Sequence, residues 1–413
     1  MSYFVTAIAP SAVRRRAPVA VGACLVSFAA FWMAQRAAHV SMVDLMVYRA
    51  EGATVRAGGD LYALEATAAR LPATYPPFAA LLFTPLTLLD TATTRTLATA
   101  GNLALLVVFV RQSLCLVGHA RVESVWWVAA VAVWCEPVWT TLRYGQINLL
   151  LAVLVLWDLS RRPENRWAGI GIGLAAAVKL TPALFAVVLL LAGVVARRRH
   201  GCGGPWLRHA RVAAVSFAGA TLLAAAVLPY DSWRFWTRVV FAAGRVGRAE
   251  DTANQALRGV LARLLQTPEP GAAWVLTTAV VGATGLGVAV AAELRGGRAW
   301  AVTVCAVTAL LVSPVSWSHH WVWCVPVTLL LGTHAYRPAA LGTLLVFSSY
   351  ALWWVPHGPG RHELHQSSIE LMMSALYGTA GCLFLMIAGV GVRTLRSPGR
   401  GHAVTAGQAV TKE

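Results

Sequence analysis

Charge is what this sequence has least of. Asp, Glu, Lys and Arg together make up 12% of its 413 residues, against roughly a quarter in soluble domains. A soluble chain so poor in charge could not cover its own surface. Lipid removes that difficulty, provided every backbone group is satisfied within its own helix. Acids are scarcer still, 17 against 34 basic residues, for a net charge of +17. On a soluble protein such an excess would point to nucleic acid. Here the basic residues stand between apolar runs, as Arg14-Arg15-Arg16, Arg161-Arg162, Arg197-Arg198-Arg199 and Arg393 to Arg400, in the way cytoplasmic loops concentrate them. That argues against a nucleic-acid partner. The seven cysteines are scattered and odd in number, with no CxxC, which argues against a zinc site or a disulfide framework. A nucleotide-binding glycine loop is also absent, so no cofactor is implied.

What the chain has instead is apolar length, 58% hydrophobic residues. Candidate spanning segments are 17–38, 77–89, 95–117, 125–142, 147–159, 167–178, 181–195, 211–228, 274–292, 299–317, 321–333, 338–356 and 371–391. Several fall short of the about 20 residues that a free-standing span needs, and short or Pro-interrupted segments survive in a bilayer only where they line a cavity or are wrapped by other helices. The first segment lacks a small-residue cleavage site and reads as a transmembrane helix rather than a signal peptide, leaving the N-terminus in the cytoplasm. Basic loops at 161–166 and 197–211 then fall inside. The loops 39–76, 229–273, 313–320 and 357–370 fall outside, with Lys179 to Pro182 at an outer turn.

Thirteen segments cannot leave both termini inside, so one between 77 and 142 is expected to be re-entrant or the broken half of another. The fold expected is all-α integral membrane, about 12 spans with re-entrant or juxtamembrane helices on the outer face. It forms a single polytopic domain over 1–396, followed by a disordered cytoplasmic tail over 397–413. No sequence repeat is evident.

The polar residues that an apolar composition does not explain gather on the outer side. Asp44 follows the first span, flanked by Met42, Val43, Leu45, Met46 and Val47. Partial desolvation raises such an acid's basicity; a helix cap or a salt bridge to Arg49 is the other reading. Gln146 and Asn148 interrupt an apolar region and suit either sugar hydroxyls or helix-to-helix hydrogen bonds. Lys179 stands mid-stretch with Pro182 behind it. An embedded lysine is a functional candidate suited to phosphate, unless it snorkels to the interface. Ser313 to Trp321 is the densest polar cluster, with His319 and His320 able to hold phosphate or shuttle a proton, and Trp317, Trp321 and Trp323 equally able to form an interfacial belt. Adjacent histidines point in different directions on a helix, so no metal is expected. Arg234, Arg238, Arg245 and Arg248 in the outer loop run against the positive-inside bias and suit an anionic headgroup. Residues 255–266 read as an amphipathic helix lying on the membrane.

These elements occur in an order that resembles the polyprenyl-phosphate-mannose-dependent mannosyltransferases of glycosyltransferase family 87, in the integral-membrane C superfamily, as found in actinobacteria. The residues that carry the resemblance are Asp44-Leu45-Met46-Val47-Tyr48, Gly59-Asp60-Leu61-Tyr62, Tyr75-Pro76-Pro77-Phe78, Gly145-Gln146-Ile147-Asn148, Lys179-Leu180-Thr181-Pro182 and Ser313-Pro314-Val315-Ser316-Trp317 with His319-His320-Trp321. The resemblance implies a polyprenyl-phosphate-sugar donor, a glycolipid or lipoglycan acceptor, and inverting transfer on the outer face of the plasma membrane. The linkage implied is α, with α-1,2 as first candidate.

It implies Asp44 as catalytic base and His319 or His320 near the donor phosphate. The substrate-binding set is then Tyr48, Asp60, Tyr62, Tyr75, Gln146, Asn148, Lys179, Asn254, Gln255, Arg258 and Trp317, together with those histidines. Ala256 stands where the family often has serine after Asn-Gln, which bears on acceptor preference. Two alternatives stand beside this reading: the same chemistry with polyprenyl-phosphate arabinose, and a lipid flippase or transporter. The second would place its polar groups at mid-membrane, often in repeats. The oligomeric state is not legible.

Overall fold

A computed structural model describes residues 10–119, 121–334 and 336–395. The expected tail over 397–413 lies outside the described residues. Within them the chain is helical apart from a two-residue hairpin pairing Glu65–Ala66 with Leu71–Pro72 and an isolated bridge between Asn254 and Trp317. Five helices are long and apolar enough to cross a membrane: Ala17–Ala37, Thr91–Leu116, Gly204–Val227, Gly271–Leu294 and Leu376–Thr394. Shorter apolar helices, among them Asn148–Leu159, Ile170–Val178, Ala183–His200, Arg298–Val312, Cys324–Thr333 and Arg337–Ser348, fill in between them. Asn148–Leu159, Ile170–Val178 and Cys324–Thr333 are largely buried, whereas Arg337–Ser348 buries only Phe347. Nearly every residue of Arg298–Val312 is covered, as expected for short helices that other helices wrap.

Proline and glycine set the breaks. The expected straight segment 125–142 is instead two helices, Val122–Ala132 and Glu136–Tyr144, bent by 75° at a short break. Pro137 sits in the first turn of the second helix, where its missing N–H costs nothing and its ring prevents the first helix from running through. Segment 371–391 likewise divides at Ala375, between Ser368–Ser374 and Leu376–Thr394. The expected span 77–89 is only a seven-residue helix, Pro77–Phe83, followed by a 3-10 turn, Thr84–Leu88. It lies along the helix Val43–Arg56. A Cβ on Gly52 would stand 2.5 Å from the Phe83 carbonyl oxygen. Arg49 donates to the Leu89 carbonyl at 3.1 Å, and Arg56 to the Thr87 hydroxyl at 2.6 Å. Those two contacts hold the end of 77–88, and the start stays with the same helix through the Tyr48 and Tyr75 hydroxyls, 2.9 Å apart.

The loops expected on the outer side are tied rather than loose. Asp60 caps the turn Leu61–Ala63 by accepting from the Tyr62 and Ala63 N–H groups and pairs with Arg234 at 2.5 Å. Arg245 donates to the carbonyls of Ala73 and Tyr62, and Arg248 to that of Gly358. These arginines were expected to meet an anionic headgroup. The structure corrects this for Arg234, Arg245 and Arg248, which fasten the loop, while Arg238 stays exposed. The amphipathic helix forms at Leu257–Leu264, but Arg263 on it is fully buried and donates to the carbonyls of Asp251, Asn254 and Ser374.

Candidate active site

Asp44 sits in the first turn of the helix Val43–Arg56, which follows the first span after a five-residue link. The salt bridge to Arg49 does not form. Asp44 instead accepts a 2.6 Å hydrogen bond on Oδ2 from the side-chain amide of Gln146. Burial holds its carboxyl above the ordinary aspartate value, and the Gln146 hydrogen bond and the charge of Lys179 pull it part of the way back. Gln146 is locked from the other side, where Oε1 accepts from the Tyr48 hydroxyl at 2.7 Å and the Tyr75 hydroxyl at 3.2 Å. The two tyrosines also touch each other, at 2.9 Å between hydroxyls. Tyr62 props the same corner by donating to the Tyr75 carbonyl at 2.8 Å. Gly145 makes the approach possible. Its φ is +70°, and a Cβ there would meet Leu45 Cβ at 2.6 Å, so only glycine gives both the turn and the clearance.

A second group assembles next to the first. Lys179 ends the helix Ile170–Val178 in extended backbone, which turns its side chain out of the helix. Its ammonium stands 2.8 Å from His320 Nε2, 3.4 Å from Asn148 Oδ1 and 5.6 Å above the Tyr75 ring. Two cations would not sit at 2.8 Å, so this contact has an ammonium donating to a neutral imidazole. Asn148 donates to the His319 carbonyl at 2.9 Å. Lys179, His320, Asn148, Thr181, Ser313 and Ser316 all line one narrow cavity. An apolar-walled cavity of about 420 Å³ adjoins Gln146, lined by Tyr48, Phe78, Phe83 and Val178 among others. Hydrogen bonds and the Lys179–Tyr75 ring contact thus join the loop after the first span, the turn at 144–148, the turn at 179–182 and the segment at 317–321. The two histidines part company. His320 meets Lys179, whereas His319 is buried edge-on against Tyr144 with its Nε2 unpartnered.

Other expected residues lie apart from this set. Asn254 and Gln255 are corrections. Both are fully buried and their polar atoms are consumed inside the protein. Asn254 donates to the Ala249 carbonyl and accepts from the Ala256 and Ser316 N–H groups. Gln255 donates to the carbonyls of Thr252 and Ser374 and accepts from the Tyr377 N–H. They fasten the 249–256 loop to the 313–318 segment and to Ser374, and both side chains are covered by protein. Asp60 is committed to its cap and ion pair, and Arg258 stacks over Trp274 at 5.2 Å. Trp317 carries the backbone bridge to Asn254.

Two further acids, outside the expected set, are buried. Glu136 is fully buried and accepts from Thr140, Ser318 and Trp353 on one oxygen and from Tyr377 on the other, all between 2.7 and 3.0 Å. It pins the segment that carries His319 and His320. Its position as the first helical residue before Pro137 was the available signal, since acids favour a helix N-terminus. Glu51 lies on the same helix face as Asp44 and Tyr48, at the i, i+4, i+7 spacing, and burial pushes its carboxyl up to about 8. Among the described residues no three His, Cys, Asp or Glu side chains cluster as a metal site would require.

The profile of glycosyltransferase family 87 matches residues 73–314. The chain is 35% identical over 306 residues to a protein of Mycobacterium tuberculosis, covering 69% of this chain and 68% of the relative. It is 37% identical over 344 residues to one of Mycolicibacterium smegmatis, covering 76% and 75%. Both relatives are named polyprenol-phosphate-mannose-dependent alpha-(1-2)-phosphatidylinositol mannoside mannosyltransferase. A third, also from M. tuberculosis, is 34% identical over 313 residues and is named for the phosphatidylinositol pentamannoside. Among solved structures, ArnT from Cupriavidus metallidurans bound to undecaprenyl phosphate is similar at a TM-score of 0.41 and 14% identity, over 93% of this chain and 77% of that one.

The class defined is therefore a multi-pass, helical membrane glycosyltransferase. More particularly, the chain belongs to glycosyltransferase family 87.

Proposed function

We propose that the protein transfers mannose from polyprenyl-phosphate mannose to a mannosylated phosphatidylinositol or related lipoglycan, forming an α-1,2 linkage on the outer face of the membrane. The observation that carries this reading is the linked set in which Gln146 holds the Asp44 carboxylate while Lys179 and His320 converge at 2.8 Å close by. The relatives' names support the donor, acceptor and linkage.

The chemistry needs those two halves. The acceptor hydroxyl oxygen attacks the sugar's anomeric carbon as the bond from that carbon to the phosphate oxygen breaks, its electron pair leaving with the polyprenyl phosphate. Asp44 takes the hydroxyl proton. Gln146 donates to the carboxylate oxygen Oδ2 and so leaves Oδ1 for the substrate. The departing phosphate already carries its charge well and needs chiefly a preorganised cation and donors; Lys179, His320 and Asn148 provide them. Attack from the side opposite the leaving phosphate inverts the anomeric centre. The apolar cavity beside Gln146 suits the isoprenoid tail.

Twelve spans give this site one side. With 77–88 held along the outer helix at both ends, Thr91–Leu116 and the bent pair after it return the chain to the outside at Gln146. The alternation that follows leaves Arg161, Arg197 and the C-terminus inside. Residues 1–396 then form one polytopic domain. Impermeant maleimide on intact cells should label Arg238→Cys and spare Glu164→Cys; the reverse would overturn this side assignment. For the reaction, membranes carrying the protein are given radiolabelled polyprenyl-phosphate mannose or polyprenyl-phosphate arabinose with a mannosylated phosphatidylinositol. We expect mannose transfer removable by an α-1,2-mannosidase. Arabinose transfer alone, or none from either donor, would refute the reading.

A further inference from the structure

A cavity of about 320 Å³ opens between the last turns of the first span and the start of Thr91–Leu116, and the chemistry above leaves it unused. Arg36, His39, Arg95 and Gln35 line it beside the apolar Phe31, Trp32 and Met42, and no acid is among its lining residues. Neither Arg36 nor Arg95 has an ion-pair partner among the described residues, in contrast to Arg234 and Arg298. Arg95 Nε and Gln35 Oε1 are buried and unpartnered. The nearby acid is not free to neutralise them, because the Asp90 carboxylate is committed to the N–H and hydroxyl of Thr93. Unpaired basic groups beside apolar ones at the end of a span suit an anionic lipid headgroup, with donors for its phosphate and apolar surface for its carbons.

Its place relative to Asp44 is specific. The link from the first span to the Asp44 helix forms part of the wall through His39, Val40 and Met42. His39 and Met42 are both held in the left-handed region, at φ 47° and 52°, which non-glycine residues adopt only when their surroundings impose it. Leu142, on the helix that leads to Gln146, closes another side. The cavity thus touches both strands of chain that position the base.

We propose that this cavity binds the phosphodiester of the acceptor lipid, placing the acceptor's sugar over Met42 toward Asp44. This rests on the reading of the protein as a transferase between two lipid-anchored substrates. It gives each anion its own site, the donor phosphate at Lys179 and His320 and the acceptor phosphodiester at Arg36 and Arg95.

The test compares two acceptors with the full-length protein in nanodiscs: a mannosylated phosphatidylinositol, and an uncharged alkyl mannoside with the same terminal sugar. In Arg36→Gln and Arg95→Gln we expect KM for the phosphodiester acceptor to rise about tenfold each, one charged hydrogen bond being lost. The donor KM and both constants for the alkyl mannoside should stay unchanged, and Arg95→Lys should restore part of the loss. A rise in donor KM would assign the cavity to the donor and overturn the proposal. Equal loss with both acceptors, or no change with either, would also overturn it. Direct retention of the phosphatidylinositol mannoside by the purified protein, weakened by both substitutions, provides a readout independent of turnover. If the wild type transfers no mannose, the reading of the reaction fails, while this binding measurement still decides the cavity.

Discussion

Gln146→Leu isolates what the hydrogen bond to Asp44 contributes. The leucine fills similar volume but removes the 2.6 Å donor to Oδ2 and the acceptor shared by Tyr48 and Tyr75. The two tyrosine hydroxyls keep each other at 2.9 Å, so neither is left without a partner and the folding cost stays near about 1–2 kcal/mol. The loss at the base is larger in kinetic terms. A hydrogen bond to a charged group contributes about 1.5–3 kcal/mol, which corresponds to a fall of about 10- to 100-fold in kcat/KM. A second signature separates this from general damage. Gln146 lowers the Asp44 pKa and burial raises it, so removing Gln146 raises it further. As the proposed base Asp44 acts unprotonated, so activity is expected above its pKa and lost as pH falls through it. The acid limb of kcat/KM should therefore move to higher pH in the variant. The assay is radiolabelled mannose transfer in detergent-purified protein, from acid to neutral pH. A limb that stays in place, or a rate within twofold of wild type, would refute the reasoning.

Three further outcomes follow from the same geometry. Lys179→Met should lower kcat by about 10²–10³-fold, the scale of losing one preorganised donor at a developing charge; a change in KM alone would contradict its placement at the leaving phosphate. Gly145→Ala must push against Leu45 at a positive φ and should destabilise the protein by about 1–3 kcal/mol, seen as a lower melting temperature, with reduced transfer in the protein that remains folded. Glu136→Ala strands the donors of Ser318, Trp353 and Tyr377 and should cost about 3 kcal/mol or more, measured by thermal denaturation in detergent. An unchanged melting temperature would remove Glu136 from its structural role.

Much of the site was legible because polar groups are costly in an apolar chain and therefore visible there. Asp44, Gln146, Asn148, Lys179 and His320 each interrupt a hydrophobic run, and the structure brings them into one linked set. The sequence did not reveal which polar groups serve the backbone. Asn254 and Gln255 have the same donors and acceptors as Gln146 and Asn148, yet spend them on Ser316, Ser374 and Tyr377, residues more than 60 positions away. Local pattern carries no information on such partners. The outer-loop arginines were misjudged for the same reason, since Arg245 reaches carbonyls some 170 residues upstream. Of the fold, the apolar runs were legible. The 75° bend before Pro137 was not, because a proline at a helix start and one at a kink leave the same trace in hydropathy. The parity problem located the irregularity within 77–142. The contacts of Tyr48, Arg49 and Arg56 along 77–88 are long-range and leave no trace in hydropathy.

The account stands on Asp44 as the base. Asp44→Asn preserves its shape and removes its capacity to take a proton, and a general base contributes about 10²–10⁴-fold. Single-turnover transfer from radiolabelled polyprenyl-phosphate mannose, at equal protein and with donor binding measured alongside, should fall by at least about 10²-fold while the donor still binds. Transfer within tenfold of wild type would show that another group takes the proton.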